Sequence, residues 1–293
     1  MKTMTWKGIW GDSMSEWNNK LGNPEKSGDH IDPATGLLVC GTCGEPKQTR
    51  VDLLGMAQIV PCDCRCIREE KERARKEKNR RDAEYQAARR RTECFGDDMR
   101  KVGFTFDTDD KRNEKLARQV RGYVQKFATF KQEGRGLLLL GPTGTGKTFY
   151  ACCIANALID AGYSAFVTNF AQIANDLQGT FDKVRIHNRL LRADLLVLDD
   201  LAAERDTSFM QEIVFQVVEE RSTAQKPMIV TSNISTQEFM NPCDLARRRV
   251  FSRLKEACIP LTVTGADRRE EMMRKQAAND QAILDEAGAH SEI

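Results

Sequence analysis

The feature that most constrains this chain is the glycine-rich stretch GPTGTGKT at residues 141–148. It follows the apolar run GLLLL at residues 136–140 and precedes a stretch whose apolar residues have helical spacing. When such a stretch joins a buried strand to a helix, its glycines let successive backbone N–H groups point at one anion, which the helix N-terminus also attracts. A glycine-rich turn with a chance lysine is the alternative, and it leaves the flanking patterns unexplained. The sequence therefore predicts a binding loop for a nucleoside triphosphate.

Individual positions of this loop have expected roles. We expect Lys147 to reach the β- and γ-phosphates, and Thr148 to place its hydroxyl on Mg²⁺. The remaining residues are expected to surround the phosphates, and they are Gly141, Pro142, Thr143, Gly144, Thr145 and Gly146.

A second apolar run, at residues 195–198, ends in two aspartates. A short continuous apolar run is typical of a strand buried on both faces, and α/β sheets bind ligands at the carboxyl ends of their strands. We expect Asp199 to be the Mg²⁺ partner through water, because Mg²⁺ keeps much of its hydration shell. Asp200 is expected to orient or deprotonate the attacking water, as phosphoryl transfer to water requires.

A third apolar run, at residues 228–232, ends in Asn233. A neutral amide there can hold the attacking water without adding negative charge, and an asparagine turn that only closes the strand is the alternative. Further on lie the basic segment RRRVFSR at residues 247–253 and the sequence GADRR at residues 265–269. An arginine near a nucleotide can act in trans on a neighbouring subunit's phosphates, whereas an isolated arginine is usually a solvated surface residue.

These motifs together resemble the DnaC/IstB-type AAA+ ATPases, which are bacterial and phage replicative helicase loaders and their transposition-helper relatives. The resemblance covers residues 104–269 and rests on the phosphate loop, Asp-Asp, Thr-Ser-Asn, Ser-Arg-Leu and Gly-x-x-Arg-Arg in that order. It implies that Asn233 is the sensor-1 residue and that Arg253 is an arginine finger acting in trans. It also implies that Arg269 is the sensor-2 arginine that touches the γ-phosphate, with Arg268 as the rival for that role.

The resemblance further implies a fold and an activity. The fold is α/β, an AAA+ P-loop domain with a central parallel sheet, which residues 104–106 enter beside the adenine. The cofactors are ATP and Mg²⁺, and ATP hydrolysis at subunit interfaces of a homo-oligomer loads a hexameric replicative DNA helicase onto single-stranded DNA. Two alternatives stay open: a transposition helper ATPase that acts on duplex DNA, and a zinc-dependent nucleic-acid-binding module whose nucleotide site is a non-hydrolysing switch.

Five of the ten cysteines lie close together before the nucleotide-binding part. Cys40 and Cys43 form a C-x-x-C-G knuckle, and the sequence CDCRC supplies Cys62, Cys64 and Cys66. Thiolates from two such turns converge readily on a tetrahedral Zn²⁺, and a small segment with few large apolar residues needs that stabilisation. We expect Cys40 and Cys43 to bind zinc with two of the other three cysteines. Free reduced thiols and an iron–sulfur cluster are the alternatives.

The pattern of charge and hydropathy divides the chain into five segments. We interpret residues 1–30 as a tryptophan-rich docking segment and residues 31–67 as the zinc-binding segment. Residues 68–95 form a charged connecting helix, residues 96–270 the ATPase domain and residues 271–293 a polar tail.

All three tryptophans lie in the first of these segments, where Trp6, Trp10 and Trp17 share one face of a predicted helix with Met14 and Leu21. This face is expected either to pack on the chain's own ATPase domain or to dock on a partner. The resemblance favours docking on the helicase.

The composition limits the other possibilities. The formal net charge is only +2, so any nucleic-acid contact must come from local basic patches, such as the predicted helical stretch at residues 170–192. No signal peptide and no apolar run of membrane-spanning length is apparent, and the cysteine usage is that of reduced thiols. The sequence therefore predicts a cytoplasmic protein without membrane contact.

Overall fold

The computed structural model describes residues 28–281, except 54, 97, 180–182, 202–207, 243, 271, 272, 275 and 278. The chain divides into two compact units, Met1–Glu84 and Tyr85–Ile293. The predicted tryptophan-bearing helix at the N-terminus lies outside the described residues. Within them, no helix is both long and apolar enough to cross a lipid bilayer.

The first unit contains two small antiparallel hairpins. Asp32 closes the first hairpin by accepting a hydrogen bond from the backbone N–H of Ala34 at 3.1 Å. Asp52 closes the second by accepting one from the N–H of Gly55 at 2.7 Å. Two-stranded pairs of this size bury little apolar surface, so this unit needs additional stabilisation. The strands are β1 (His30–Ile31), β2 (Leu38–Val39), β3 (Gln48–Leu53) and β4 (Met56–Pro61).

A long charged helix, α1 (Arg65–Phe95), follows the second hairpin and contains the boundary between the two units. Its i→i+4 ion pairs include Glu72 with Lys76 at 3.0 Å and Glu77 with Arg81 at 3.0 Å. The buried side chains of the helix are confined to its last third. The charged stretch is therefore helical, as the sequence predicts, and most of its length faces solvent.

The second unit is built on a parallel sheet. Its strands are β5 (Gly136–Leu140), β6 (Ala165–Asn169), β7 (Leu195–Leu201), β8 (Met228–Ser232) and β9 (Cys258–Thr262). They lie in the order β6-β7-β8-β5-β9, and every neighbouring pair is parallel. The strand β5 pairs with β8 on one side and with β9 on the other, so its carboxyl end lies between those of β8 and β9. This is the α/β fold with a central parallel sheet that the sequence predicts.

Helices cover both faces of this sheet. Leu137 and Leu139 point into one apolar layer and Leu138 and Leu140 into the other, which explains why β5 is apolar at every position. The helices of this unit, after α1, are α2 (Met99–Val102), α3 (Glu114–Gln125), α4 (Phe127–Gln132), α5 (Lys147–Asp160), α6 (Phe170–Gly179), α7 (Lys183–Arg192), α8 (Ser208–Thr223), α9 (Thr236–Met240) and α10 (Leu245–Ala257).

The predicted helical stretch at residues 170–192 contains the helices α6 and α7, and residues 180–182 between them lie outside the described residues. One predicted strand differs in detail. The strand β7 continues to Leu201, so Asp199 and Asp200 lie within it and not beyond its end. The pairing of β7 with β8 shifts its register between Leu198 and Leu201, which marks a β-bulge at the two aspartates.

A fully buried arginine joins α8 to the end of α7. Arg221 is 0% exposed, and its Nη1 donates hydrogen bonds to the carbonyl oxygens of Leu190 at 3.1 Å and Ala193 at 2.8 Å. Its Nη2 donates to the carbonyl oxygen of Pro227. Burial lowers the pKa of this guanidinium to about 10. The last carbonyls of a helix have no partner within the helix, and a cation is favoured there, so Arg221 caps α7 from a neighbouring element.

Candidate nucleotide site and cysteine cluster

The predicted phosphate loop joins β5 to α5 at the carboxyl end of the sheet. Gly144 and Gly146 have φ angles of 74° and 97°, a region that side chains rarely occupy. A Cβ at Gly144 would also lie 1.8 Å from Oδ1 of Asp267, and one at Gly146 would lie 2.9 Å from Nη1 of Arg268. These two positions therefore require glycine for conformation and for space.

Lys147 begins α5 and is only 5% exposed. Its ammonium donates hydrogen bonds to the carbonyl oxygens of Gly141 at 2.8 Å and Pro142 at 2.7 Å. Burial lowers the pKa of Lys147, and the nearby carboxylates of Asp200 and Asp199 oppose that shift. A buried cation beside a helix N-terminus and held only by carbonyl dipoles is an arrangement that a phosphate complements.

Asp199 connects the phosphate-loop helix to the neighbouring strand. Its Oδ1 accepts hydrogen bonds from the hydroxyl of Thr148 at 2.9 Å and from that of Thr231 at 2.7 Å. The carboxylate is 9% exposed. The structure thus brings together Thr148 and Asp199, the two residues predicted to serve Mg²⁺, and their oxygen atoms are the hard ligands that this ion prefers.

Asp200 differs sharply from its neighbour. It is exposed and has a φ of 59°, a left-handed conformation that costs a residue other than glycine about 1 kcal/mol. Its backbone N–H donates to the hydroxyl of Thr231 at 2.9 Å. The bulge therefore turns the carboxylate of Asp200 outward while Asp199 stays buried, and Thr231 contacts both residues.

Thr231 is a site residue that the sequence analysis does not identify. The signal was present in the Thr-Ser-Asn strand end, where only Asn233 received a role. Asn233 is exposed and directly follows β8. Ser232 pairs with Leu140, and its carbonyl oxygen accepts a hydrogen bond from the N–H of Gly141 at 3.2 Å. Asn233 therefore lies at the start of the phosphate loop.

Both arginines of the GADRR sequence lie near the same loop. The N–H of Arg268 donates to the carbonyl oxygen of Gly144 at 3.0 Å, and its guanidinium pairs with Asp110 at 3.0 Å. Burial and the nearby carboxylates have the larger effects on the pKa of Lys147, and the positive charge of Arg269 also lowers it. The carboxylate of Asp267 faces the loop as well, against Gly144, and sequence reasoning did not single it out.

The remaining predicted nucleotide-site residues lie elsewhere. Arg253, on α10, forms ion pairs with Glu219 and Glu256, and its described contacts place it outside this chain's own phosphate loop. Phe104 packs on Phe149 with ring centroids 5.4 Å apart, and it is partly buried against the apolar core. The segment at residues 104–106 thus has this ring turned toward α5.

Four of the five clustered cysteines converge in the first unit. The Sγ atoms of Cys40, Cys43, Cys64 and Cys66 all lie within 4.8 Å of one another. A tetrahedral zinc with Zn–S bonds of about 2.3 Å requires sulfur separations of about 3.8 Å. Cys62 is directed away, and its Sγ lies 3.4 Å from the carbonyl oxygen of Pro46. The sequence left open which two of Cys62, Cys64 and Cys66 complete the zinc site, and the geometry selects Cys64 and Cys66.

The surroundings of this cluster lower the pKa of two of its four thiols. The backbone N–H groups of Cys66 and Glu45 lower the pKa of Cys43 to about 6, and the N–H groups of Cys43 and Thr42 lower that of Cys40. The pKa of Cys66 is raised to about 12 by its hydrogen bond with Cys43 and by burial, and burial raises the pKa of Cys64. A divalent cation would replace the thiol protons, and the N-terminus of α1 adds its own positive potential. The donor set therefore fits zinc.

A parallel five-stranded sheet of this order, with a phosphate loop after β5 and paired aspartates on β7, defines an AAA+ P-loop fold. The family model described as "IstB-like ATP binding protein" matches residues 69–276. The chain therefore belongs to the IstB-like ATP-binding proteins.

Named relatives agree with this assignment. The replicative helicase loader DnaI of Bacillus subtilis is 28% identical over 184 residues, which cover 57% of this chain and 59% of DnaI. The replicative helicase loader DnaC of Escherichia coli K12 is 27% identical over 144 residues, which cover 47% of this chain and 56% of DnaC. The matches thus span less than two thirds of either relative.

A crystal structure of the DnaC helicase loader superposes with a TM-score of 0.50 and 25% identity, and covers 56% of this chain and 99% of that one. The resemblance and the AAA+ fold predicted from the sequence are confirmed.

Proposed function

We propose that this protein is an ATP-dependent loader of a hexameric replicative DNA helicase onto single-stranded DNA. The observation that carries the proposal is the hydrogen-bonded chain from Thr148 through Asp199 to Thr231, which joins the phosphate loop to the outward-turned Asp200. Such a connection is needed for hydrolysis as well as for binding. The relatives support helicase loading as the purpose of this ATPase, since DnaI and DnaC are both replicative helicase loaders.

In this proposal each residue near the loop has one task. Lys147 binds the β- and γ-phosphates, and Thr148 and Asp199 hold Mg²⁺, which supplies charge neutralisation on the phosphates when bound. Asp200 accepts a proton from the attacking water or orients it, and Asn233 holds the same water from the other side. The buried Asp199 thus holds the metal, and the exposed Asp200 next to it activates the water.

The arginines act on the γ-phosphate from two directions. Arg269 serves as the sensor-2 residue, because Arg268 is already paired with Asp110. Arg253 acts in trans from a neighbouring subunit, which agrees with its position away from this chain's own loop. ATP at the interface of a homo-oligomer then favours assembly, and hydrolysis favours release.

The first unit is proposed to recruit the helicase. Cys40, Cys43, Cys64 and Cys66 hold one Zn²⁺, which supplies the stabilisation that the two small hairpins lack. The tryptophan-bearing segment at residues 1–30 adds an apolar docking surface.

Two variants test the catalytic part of the proposal. Lys147→Ala removes the phosphate anchor and is expected to abolish ATP binding, measured by calorimetry. Asp200→Asn keeps the binding residues and is expected to retain ATP affinity while losing turnover. Turnover at the wild-type rate in Asp200→Asn protein would remove Asp200 from the mechanism.

The loading function needs its own test. We expect the full-length chain to capture the cognate hexameric helicase from a host lysate, and a chain lacking residues 1–95 to lose that capture. Purified helicase with wild-type protein, ATP and forked DNA is then expected to unwind faster than with Lys147→Ala protein. Capture of a transposase, or preference for duplex over single-stranded DNA, would instead support a transposition helper.

A further inference from the structure

The guanidinium of Arg253 is clamped by a carboxylate from another helix. Its Nε lies 2.5 Å from Oε2 of Glu219, and its Nη2 donates a hydrogen bond to Oε1 of the same residue at 3.0 Å. Arg253 lies on α10 and Glu219 on α8. Both oxygens of one carboxylate thus lie against one edge of the guanidinium, Oε1 in a hydrogen bond and Oε2 in an ion pair, and this two-point contact restricts the orientation of the arginine as well as its position.

The opposite edge of the guanidinium remains available. Nη1 contacts Oε2 of Glu256 at 3.2 Å, and Glu256 is three residues further along the same helix. The side chain of Glu256 is 67% exposed, compared with 30% for Glu219. A guanidinium carries five N–H donors, and Glu219 uses only those on the Nε edge. The Nη1 edge therefore faces the surface, and its described partner is the well-exposed carboxylate of Glu256, which an incoming phosphate can displace.

A second contact supports the interface between α8 and α10. One turn before Arg253, the guanidinium of Arg249 lies 4.4 Å from the centre of the Phe215 ring, and Phe215 lies one turn before Glu219 on α8. Two successive arginines of α10 thus rest on two successive side chains of α8. The guanidinium of Arg253 is held against a packed surface, and not on a free rotamer in solvent.

We propose that Glu219 is a positioning residue for the trans-acting arginine. It holds the Nε edge of Arg253 so that the Nη1 edge is presented to the γ-phosphate bound by the neighbouring subunit. This inference rests on the proposed trans role of Arg253. An exposed ion pair of this kind adds little to stability, but catalysis is sensitive to small displacements of a charged group that stabilises the transition state.

The test compares Glu219→Gln with Glu256→Gln. Each removes one negative charge beside the same arginine, but only Glu219→Gln places an amide NH₂ against the Nε edge and breaks the two-point contact. We expect the turnover of the assembled protein with single-stranded DNA to fall about tenfold in Glu219→Gln and by less than twofold in Glu256→Gln. ATP affinity and the thermal midpoint should stay at wild-type values in both. If Glu219→Gln does not fold, Glu219→Asp, which keeps the charge on a shorter side chain, is expected to show an intermediate loss of turnover.

Mixing experiments separate positioning from a general structural effect. Glu219→Gln protein mixed with Asp200→Asn protein should regain turnover, because each subunit supplies across the interface what the other lacks. Glu219→Gln mixed with Arg253→Ala should not regain it, since both defects lie on the same face. Wild-type turnover in Glu219→Gln, while Arg253→Ala is inactive, overturns this inference and leaves the proposed function intact. Full turnover in Arg253→Ala overturns the proposed trans mechanism itself.

Discussion

Replacing Thr231 by valine should remove the hydrogen bonds that Thr231 makes with both Asp199 and Asp200. Valine has nearly the shape of threonine, so the change deletes the hydroxyl that donates to Asp199 at 2.7 Å and accepts the N–H of Asp200 at 2.9 Å. Thr231 is 0% exposed, so water cannot substitute. Losing a hydrogen bond to a carboxylate and leaving one N–H unsatisfied should lower the free energy of unfolding by about 2–4 kcal/mol. Turnover should fall by about tenfold or more, because the bulge that aims Asp200 loses its anchor.

The assay must report on the second unit. All three tryptophans lie within residues 1–17, so urea unfolding should be followed by far-ultraviolet circular dichroism and not by tryptophan fluorescence. Ser232→Ala is the matched control, since Ser232 is also 0% exposed on β8 and donates to the carbonyl oxygen of Leu201 at 2.6 Å. We expect it to cost about 1–2 kcal/mol of stability with turnover nearly unchanged. Equal turnover in Thr231→Val and Ser232→Ala would refute the claim that Thr231 aims Asp200.

Three further results are expected. Elemental analysis should find about one Zn²⁺ per chain. The double variant Cys40→Ser with Cys43→Ser should release this zinc while ATP binding persists, whereas Cys62→Ser should keep it. Fresh protein without zinc would contradict the assignment. Arg221→Met should lower the free energy of unfolding by about 3 kcal/mol, because four backbone carbonyls lose a buried charged donor; unchanged chemical unfolding would show that the cap is dispensable. Asp267→Asn removes a negative charge that faces the phosphate loop, so ATP affinity should rise severalfold at low salt and the gain should shrink as salt is added; calorimetry at two ionic strengths checks this.

Local sequence signals predicted much of the nucleotide site. The phosphate loop, the apolar runs before Asp199 and Asn233, and the start of α5 at Lys147 all depend on short-range pattern, and each lies where the pattern indicated. The order of the strands was not accessible in this way, because it depends on pairing between residues far apart in the chain. It is the pairing of β5 with β8 that brings Asn233 to the phosphate loop.

Other features depended on geometry that no pattern specifies. The choice of Cys64 and Cys66 over Cys62 follows from the change of backbone direction into α1, which begins at Arg65 and breaks the alternation that would place all three cysteines on one side. The left-handed conformation of Asp200 follows from a bulge, and neighbouring aspartates carry no sign of one. The clamp of Glu219 on Arg253 joins two helices whose packing is known only from the fold.

If the protein hydrolyses ATP as proposed, the bulge in β7 also has a consequence for how that activity could be lost. Leu198 pairs with Val230 and Leu201 with Ser232, so two residues of β7 stand opposite the single residue Thr231. Deleting Asp200 alone would let β7 and β8 pair in regular register, with the apolar residues on both sides of the deletion still in step. The same fold would then keep its phosphate loop and lose the exposed carboxylate. Deleting a single codon would thus give a protein that binds ATP without hydrolysing it. The same deletion would remove a strained residue from the strand.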